Sequence, residues 1–181
     1  NYEEIREARK SALAKPSEQE EYLTKCMNHF VPSSSGESFI SIDQVRKCKV
    51  DNIEWYGRDV YLGLDMAKTD DNVSVSMVSY DYETETILAK SWAFIPTDRI
   101  TEKNNIERTD YNRFIREGNC FDCGNDVIAY DFVENFILDI QEKYGVNVLQ
   151  GGYDWMNCLS SACKIEEGRE NKPGITMVEV K

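Results

Sequence analysis

No apolar run among the 181 residues approaches the roughly 20 needed to span a bilayer. The N-terminus carries no secretory h-region either. The default expectation is therefore a soluble intracellular protein. A basic surplus is also missing. The net charge is −12, and it is unevenly spread: residues 1–50 hold eight Lys/Arg against eight Asp/Glu, and residues 51–181 hold thirteen against twenty-five. A bare acidic surface repels nucleic acid, which counts against a free-standing DNA-binding module. It counts less against a metal-dependent enzyme, because bound cations offset clustered acids. A second set of zinc ligands is missing as well. Cys120 and Cys123 form one CxxC, the other four cysteines are Cys26, Cys48, Cys158 and Cys163, and the single histidine, His29, is far away in sequence. A structural zinc site needs a further pair. Without a secretory signal and at this size, a disulfide framework is not expected, so reduced thiols are.

What is present suits a globular chain. Hydrophobic residues make up 41% and charged residues 30%, ordinary proportions for one medium domain with a small appendage. "NYEEIREARKSALAK" reads as a helix, broken at Lys15-Pro16. Ser17 is the expected cap of a second helix, about 17–30, with Tyr22, Leu23, Cys26, Met27 and Phe30 on one stripe. "VPSSSGESF" (31–39) reads as a connector, and residues 41–49 as a short third helix.

From about Ile53 the pattern changes. Residues 59–65 form a mostly apolar run, as for a central strand. Residues 73–82 alternate, and 85–95 make a third strand across a hairpin. A polar excursion follows, with a helix from about 110 to Gly118. "DFVENFILDIQEKYG" is the clearest helix, with Asp131 as the expected N-cap, Gly145 as the stop, and Phe132, Val133, Phe136, Ile137, Ile140 and Tyr144 as the buried stripe. Then come a strand over 146–154, a helix over about 156–167 ending at Gly168, and a last strand over 174–180. Short turns make the first three strands antiparallel, whereas helical crossovers make the later ones parallel. Residues 1–50 are thus expected as a helical segment and 51–181 as the α/β domain.

This topology sets the first strand beside the fourth, and both end on an acid. Asp65 and Asp154 then emerge together on strands about 4.8 Å apart. Two carboxylates that close repel unless a cation lies between them. Mg²⁺ or Mn²⁺ prefers such hard oxygen donors, and two metals about 3.5–4 Å apart suit phosphodiester cleavage. Asp71, before the next strand, is a further candidate ligand, although Asp70 and Asp71 also read as turn residues. Asp154 also reads as a cap for the following helix, and Lys68 as either a phosphate contact or a solvated lysine. Trp55, Tyr56 and Trp92 read as core or interface. Trp155 stays open between packing and base stacking.

The blocks "YLGLDMAKTDDNVSVSMV", "AFIPTD", "NRFIREGNC", "VIAYDFVENFILDIQEKYGV" and "GGYDWMNCLSSACKIEEG" together resemble the large subunit of phage terminase, in its C-terminal nuclease domain. The stretch "LTKCMNHFV…FISIDQVRKC" resembles the segment that links that family's ATPase domain to its nuclease. The resemblance implies a ribonuclease H-like fold: a mixed sheet of three antiparallel strands, then parallel strands joined by helices, preceded by a small helical segment. It implies a metal-dependent endonuclease cutting concatemeric viral DNA, with Asp65 and Asp154 as catalytic acids holding Mg²⁺ or Mn²⁺. It further implies double-stranded DNA, a terminase small subunit and a portal protein as partners, no membrane, and the bacterial host cytoplasm as location. No GxxxxGK[ST] pattern occurs, so the ATPase motor is expected to lie outside this chain. The family's third acid follows the last strand, where this chain stops at Lys181, and Glu166, Glu167 and Glu179 do not occupy that place. The resemblance thus implies a domain truncated at its C-terminus, with weak or no activity as it stands. The rival readings are another ribonuclease H-like nuclease or integrase, and a non-catalytic docking domain of a larger assembly.

Overall fold

A computed structural model describes residues 2–27, 40, 42–67 and 71–180. The connector at 31–39, His29, Phe30, Lys68, Asp70 and Lys181 lie outside the described residues. The chain divides into two compact units, Asn1–Asn52 and Ile53–Lys181.

The first unit is helical: α1 (Tyr2–Ala14), α2 (Pro16–Glu21) running into a π-helical turn (Tyr22–Cys26), and α3 (Ile42–Lys47). The cap position of α2 is taken by Lys15, not by Ser17. Lys15 is extended and Pro16 starts the helix, because a proline's missing N–H and preset φ suit the first helical position. The hydroxyl of Ser11 meets Glu18, tying α1 to α2. Ala12 is the buried apolar side chain among the described residues of this unit.

The second unit is a six-stranded sheet with helices. Its elements are β1 (Asp59–Asp65), β2 (Val73–Asp81), β3 (Thr86–Ile95), α4 (Ile100–Glu107), α5 (Tyr111–Arg116), β4 (Cys120–Asp122), α6 (Tyr130–Tyr144), β5 (Asn147–Tyr153), α7 (Trp155–Glu167) and β6 (Met177–Glu179). The strand order is β4-β3-β2-β1-β5-β6. β1, β2 and β3 pair antiparallel, whereas β4, β5 and β6 join in parallel. None of the described helices is long and apolar enough to cross a membrane.

β1 departs from the expectation of a strand buried on both faces, because its residues alternate between buried and open. Val60, Leu62 and Leu64 join Val73, Val75, Met77, Trp92 and Phe94 in a core that meets Val133, Phe136, Ile137 and Ile140 of α6 and Cys158, Ala162 and Ile165 of α7. The rings of Trp92 and Phe94 both pack edge-on to Phe136, at 5.1 Å between centroids. Each such aromatic pair adds roughly 0.5–1.5 kcal/mol to its area burial. Tyr61 and Asp65 stay exposed on the other parity of β1.

Three further readings are corrected. Ala129, not Asp131, is the N-cap of α6, and Asp131 sits in the first turn, where its charge still favours the helix dipole. Phe132 is exposed rather than part of the stripe. The polar excursion holds a fourth strand, β4, which pairs Cys120 with Ala93 and Asp122 with Ile95. Gly145 does end α6. It adopts φ 62°, and a Cβ there would meet the Tyr56 ring at 2.4 Å, so only glycine allows both the left-handed turn and that ring's approach. All six cysteines are free, with Cys120, Cys123 and Cys158 buried. Burial pushes the Cys120 thiol up to about 11.

Candidate active site

The parallel pairing of β1 with β5 carries the site. Leu62 lies opposite Gly151, Gly63 opposite Gly152, and Leu64 opposite Tyr153. The next residue on each strand is an aspartate, so Asp65 and Asp154 leave the same end of the sheet side by side. Both are exposed, and both line one cleft of about 560 Å³, walled elsewhere by Gly63, Ser74, Ser76, Gly152 and Val180. Leu62, Leu64 and Tyr153 complete the lining, and the glycines and serines keep the rest of the wall small. At Gly63 an added Cβ would come within 2.6 Å of the Ser76 hydroxyl oxygen. Beyond β6, the Val180 amide donates to the Tyr153 carbonyl at 2.9 Å and brings the chain to the cleft wall.

Asp154 also caps the start of α7, as the plainer reading of the sequence holds. One of its oxygens, Oδ1, accepts from the Met156 amide at 2.8 Å. Cys158 is fully buried, with its thiol directed at the Leu64 carbonyl at 3.9 Å. Burial pushes that thiol up, and the charges of Asp65 and Asp154 add to the push.

Asp71 is exposed, just ahead of β2, and does not line the cleft. Among the described residues no group of three or more His, Cys, Asp or Glu side chains gathers to hold a metal ion. Glu166 accepts from the Met177 amide at 3.0 Å, a contact that holds β6 to α7. Glu179 stands opposite Tyr153 in the sheet.

The sequence reading missed two tyrosines. Tyr130 donates through its phenol to the Ala67 carbonyl at 2.9 Å, and the Asn72 amide donates to the Tyr111 phenol at 2.7 Å. They hold the chain two residues after Asp65 and two before Ser74. Nothing in local periodicity marks either one, since both contacts span about forty residues or more.

Two adjacent carboxylates fit a hard divalent ion. Mg²⁺ in particular is usually held by one or two carboxylates together with substrate phosphates and waters. Asp65 and the remaining oxygen of Asp154 are the residues that would hold such an ion.

An antiparallel three-stranded meander extended by parallel strands, with acids at the ends of β1 and β5, defines a ribonuclease H-like α/β domain. Within that class the chain belongs to the terminase large subunit, endonuclease domain, family, whose model matches residues 1–181. In fold it is similar to the large terminase of bacteriophage HK97, with a TM-score of 0.67 and 18% identity, over 96% of this chain and 34% of that one. This chain therefore spans about a third of the length of the HK97 protein. No curated protein matches it.

Proposed function

We propose that this domain is a metal-dependent endonuclease that cuts concatemeric viral DNA during packaging, with Asp65 and Asp154 as its catalytic acids. The observation that carries the reading is the register of β1 with β5, which brings two carboxylates to one open cleft. Bound Mg²⁺ or Mn²⁺, as a pair of ions, would neutralise charge on the attacked phosphate and lower the pKa of the attacking water. The protein's part is to hold the carboxylates together and to leave room for a phosphate above Gly63 and Gly152. Double-stranded DNA is the proposed substrate, and a terminase small subunit and portal protein are the proposed partners. Because the surplus charge of residues 51–181 is negative, DNA binding should need the divalent ion. Asp71 is proposed as an assisting ligand only, since it does not line the cleft.

Titration of Mn²⁺ into the chain, followed by backbone NMR, should broaden resonances around Asp65 and Asp154. Asp65→Asn and Asp154→Asn should each abolish that response and any Mn²⁺-dependent nicking of plasmid DNA, and Asp71→Asn should weaken both only in part. A folded Asp65→Asn/Asp154→Asn double variant that still bound Mn²⁺ in the cleft would remove this reading.

A further inference from the structure

Packing does not account for one side chain next to a cleft acid, although that side chain does not itself line the cleft. Trp55 and Trp92 are 7% and 1% exposed, whereas Trp155 is 61% exposed. It follows Asp154 directly, so the two Cα atoms are about 3.8 Å apart. The backbone here is not a regular helix: Met156 has ψ 117° and Asn157 has φ 65°. The left-handed region is uncommon for a residue other than glycine. A helix running straight on from Asp154 would avoid it. The interruption instead holds Trp155 and Met156 in solvent while the Met156 amide fixes the Asp154 carboxylate. One turn therefore sets a cleft acid and an unpartnered indole together.

The charge around the cleft decides what such an indole suits. Among the described residues that line the cleft there is no Lys or Arg, and the chain carries a net −12. The described lining therefore offers a DNA backbone no cationic side chain. A stacking contact needs no charge and accepts any base, since every base presents a π-face. We propose that Trp155 is a substrate-binding residue whose indole stacks on an unstacked base of the DNA strand held at Asp65 and Asp154. The proposal rests on the endonuclease reading and names the contact that reading lacks. Its ligand class is a DNA strand with an unpaired or displaced base beside the phosphate to be cut, because a base inside an intact duplex offers no free face.

The test uses the whole chain, Ca²⁺ in place of the catalytic ion, and a short DNA duplex with a central run of unpaired bases. Neutral acrylamide should quench part of the tryptophan fluorescence of the free protein. Trp155→Leu should remove that quenchable part, which assigns it, because Trp55 and Trp92 are buried. Bound DNA should shield it. Trp155→Leu should bind the unpaired duplex about tenfold more weakly, a fully paired duplex should be affected less, and Trp155→Phe should restore most of the affinity. An indole that stays equally quenchable with DNA bound overturns the inference, as does Trp155→Leu binding as tightly as the unaltered chain. If either happens while Asp65→Asn still abolishes Mn²⁺ binding and cutting, the endonuclease reading stands and this inference alone fails. A chain that binds no DNA in any divalent ion overturns both.

Discussion

At Asp154 one carboxylate oxygen is already committed to the Met156 amide. The structural role and the proposed metal role therefore share one side chain, and they separate by substitution. Asn keeps an oxygen acceptor but loses the charge, whereas Ala loses both. Asp154→Asn should leave thermal stability close to that of the unaltered chain while abolishing Mn²⁺ binding. Asp154→Ala should abolish binding and also cost about 1 kcal/mol, the usual value of such a cap, read by urea denaturation. Equal Mn²⁺ affinity in Asp154→Asn and the unaltered chain would leave capping as the only role.

Tyr111 offers a second residue-scale test. Its burial, helped by the Glu107 carboxylate that accepts from it, pushes the phenol from 10.0 up to about 12. Between those values the unfolded chain has lost this proton and the folded chain keeps it, so the folded state binds more protons and stability falls as pH rises. The contribution is whole below pH 10.0 and is lost as pH rises through about 12. Urea unfolding across that window should show the decline. Tyr111→Phe, which has no proton to lose, should flatten it.

At the scale of elements, α6 and α7 are joined by a buried carboxylate. Glu134 is 1% exposed and accepts from the Ser161 hydroxyl at 2.8 Å, from Lys164 at 3.1 Å and from Arg169 at 3.1 Å. The two cations keep part of their water, since their side chains are 53% and 37% exposed. Removing the carboxylate therefore leaves charges that can rehydrate, and the loss should sit at the low end for a broken buried pair. Glu134→Ala should cost about 3 kcal/mol. Equilibrium denaturation measures this, and no change would mean that α7 is held by apolar packing alone. The same two helices show which elements are legible locally. The stripe Val133, Phe136, Ile137 and Ile140 marks α6 by its period, and Gly145 marks its end by its φ. Asp131 looks like the cap of α6, yet the helix begins earlier, at Tyr130, whose phenol reaches back to Ala67. β4 left no signal, because three residues show no period. It exists through its pairing with β3.

At the scale of the whole molecule, Ile53–Lys181 has its own contiguous core, which runs from Trp55 to Met177. A segment with its own core should fold alone. A chain of residues 53–181 should therefore unfold in one cooperative step, with a melting temperature close to the main transition of the full chain. A broad, non-cooperative melt of that fragment would show that residues 1–52 are needed for its fold.

The amino-acid order by itself determined most of the strands and helices in this domain, with α4 and β4 as the exceptions. Hydrophobic period, glycine stops and turn length are local properties, and they also forced the first three strands to run antiparallel. The two acids, Asp65 and Asp154, were visible as strand ends for the same reason. Their neighbourhood follows from right-handed crossovers, but its register does not: whether Leu64 meets Tyr153 or slips by one residue depends on pairing across the sheet, and a slip would turn one carboxylate to the other face. Tertiary structure alone decided that register, the absence of Asp71 from the cleft lining and the exposure of Trp155. Each depends on which distant residues arrive in the same place, and local sequence carries no trace of a contact made across many tens of residues.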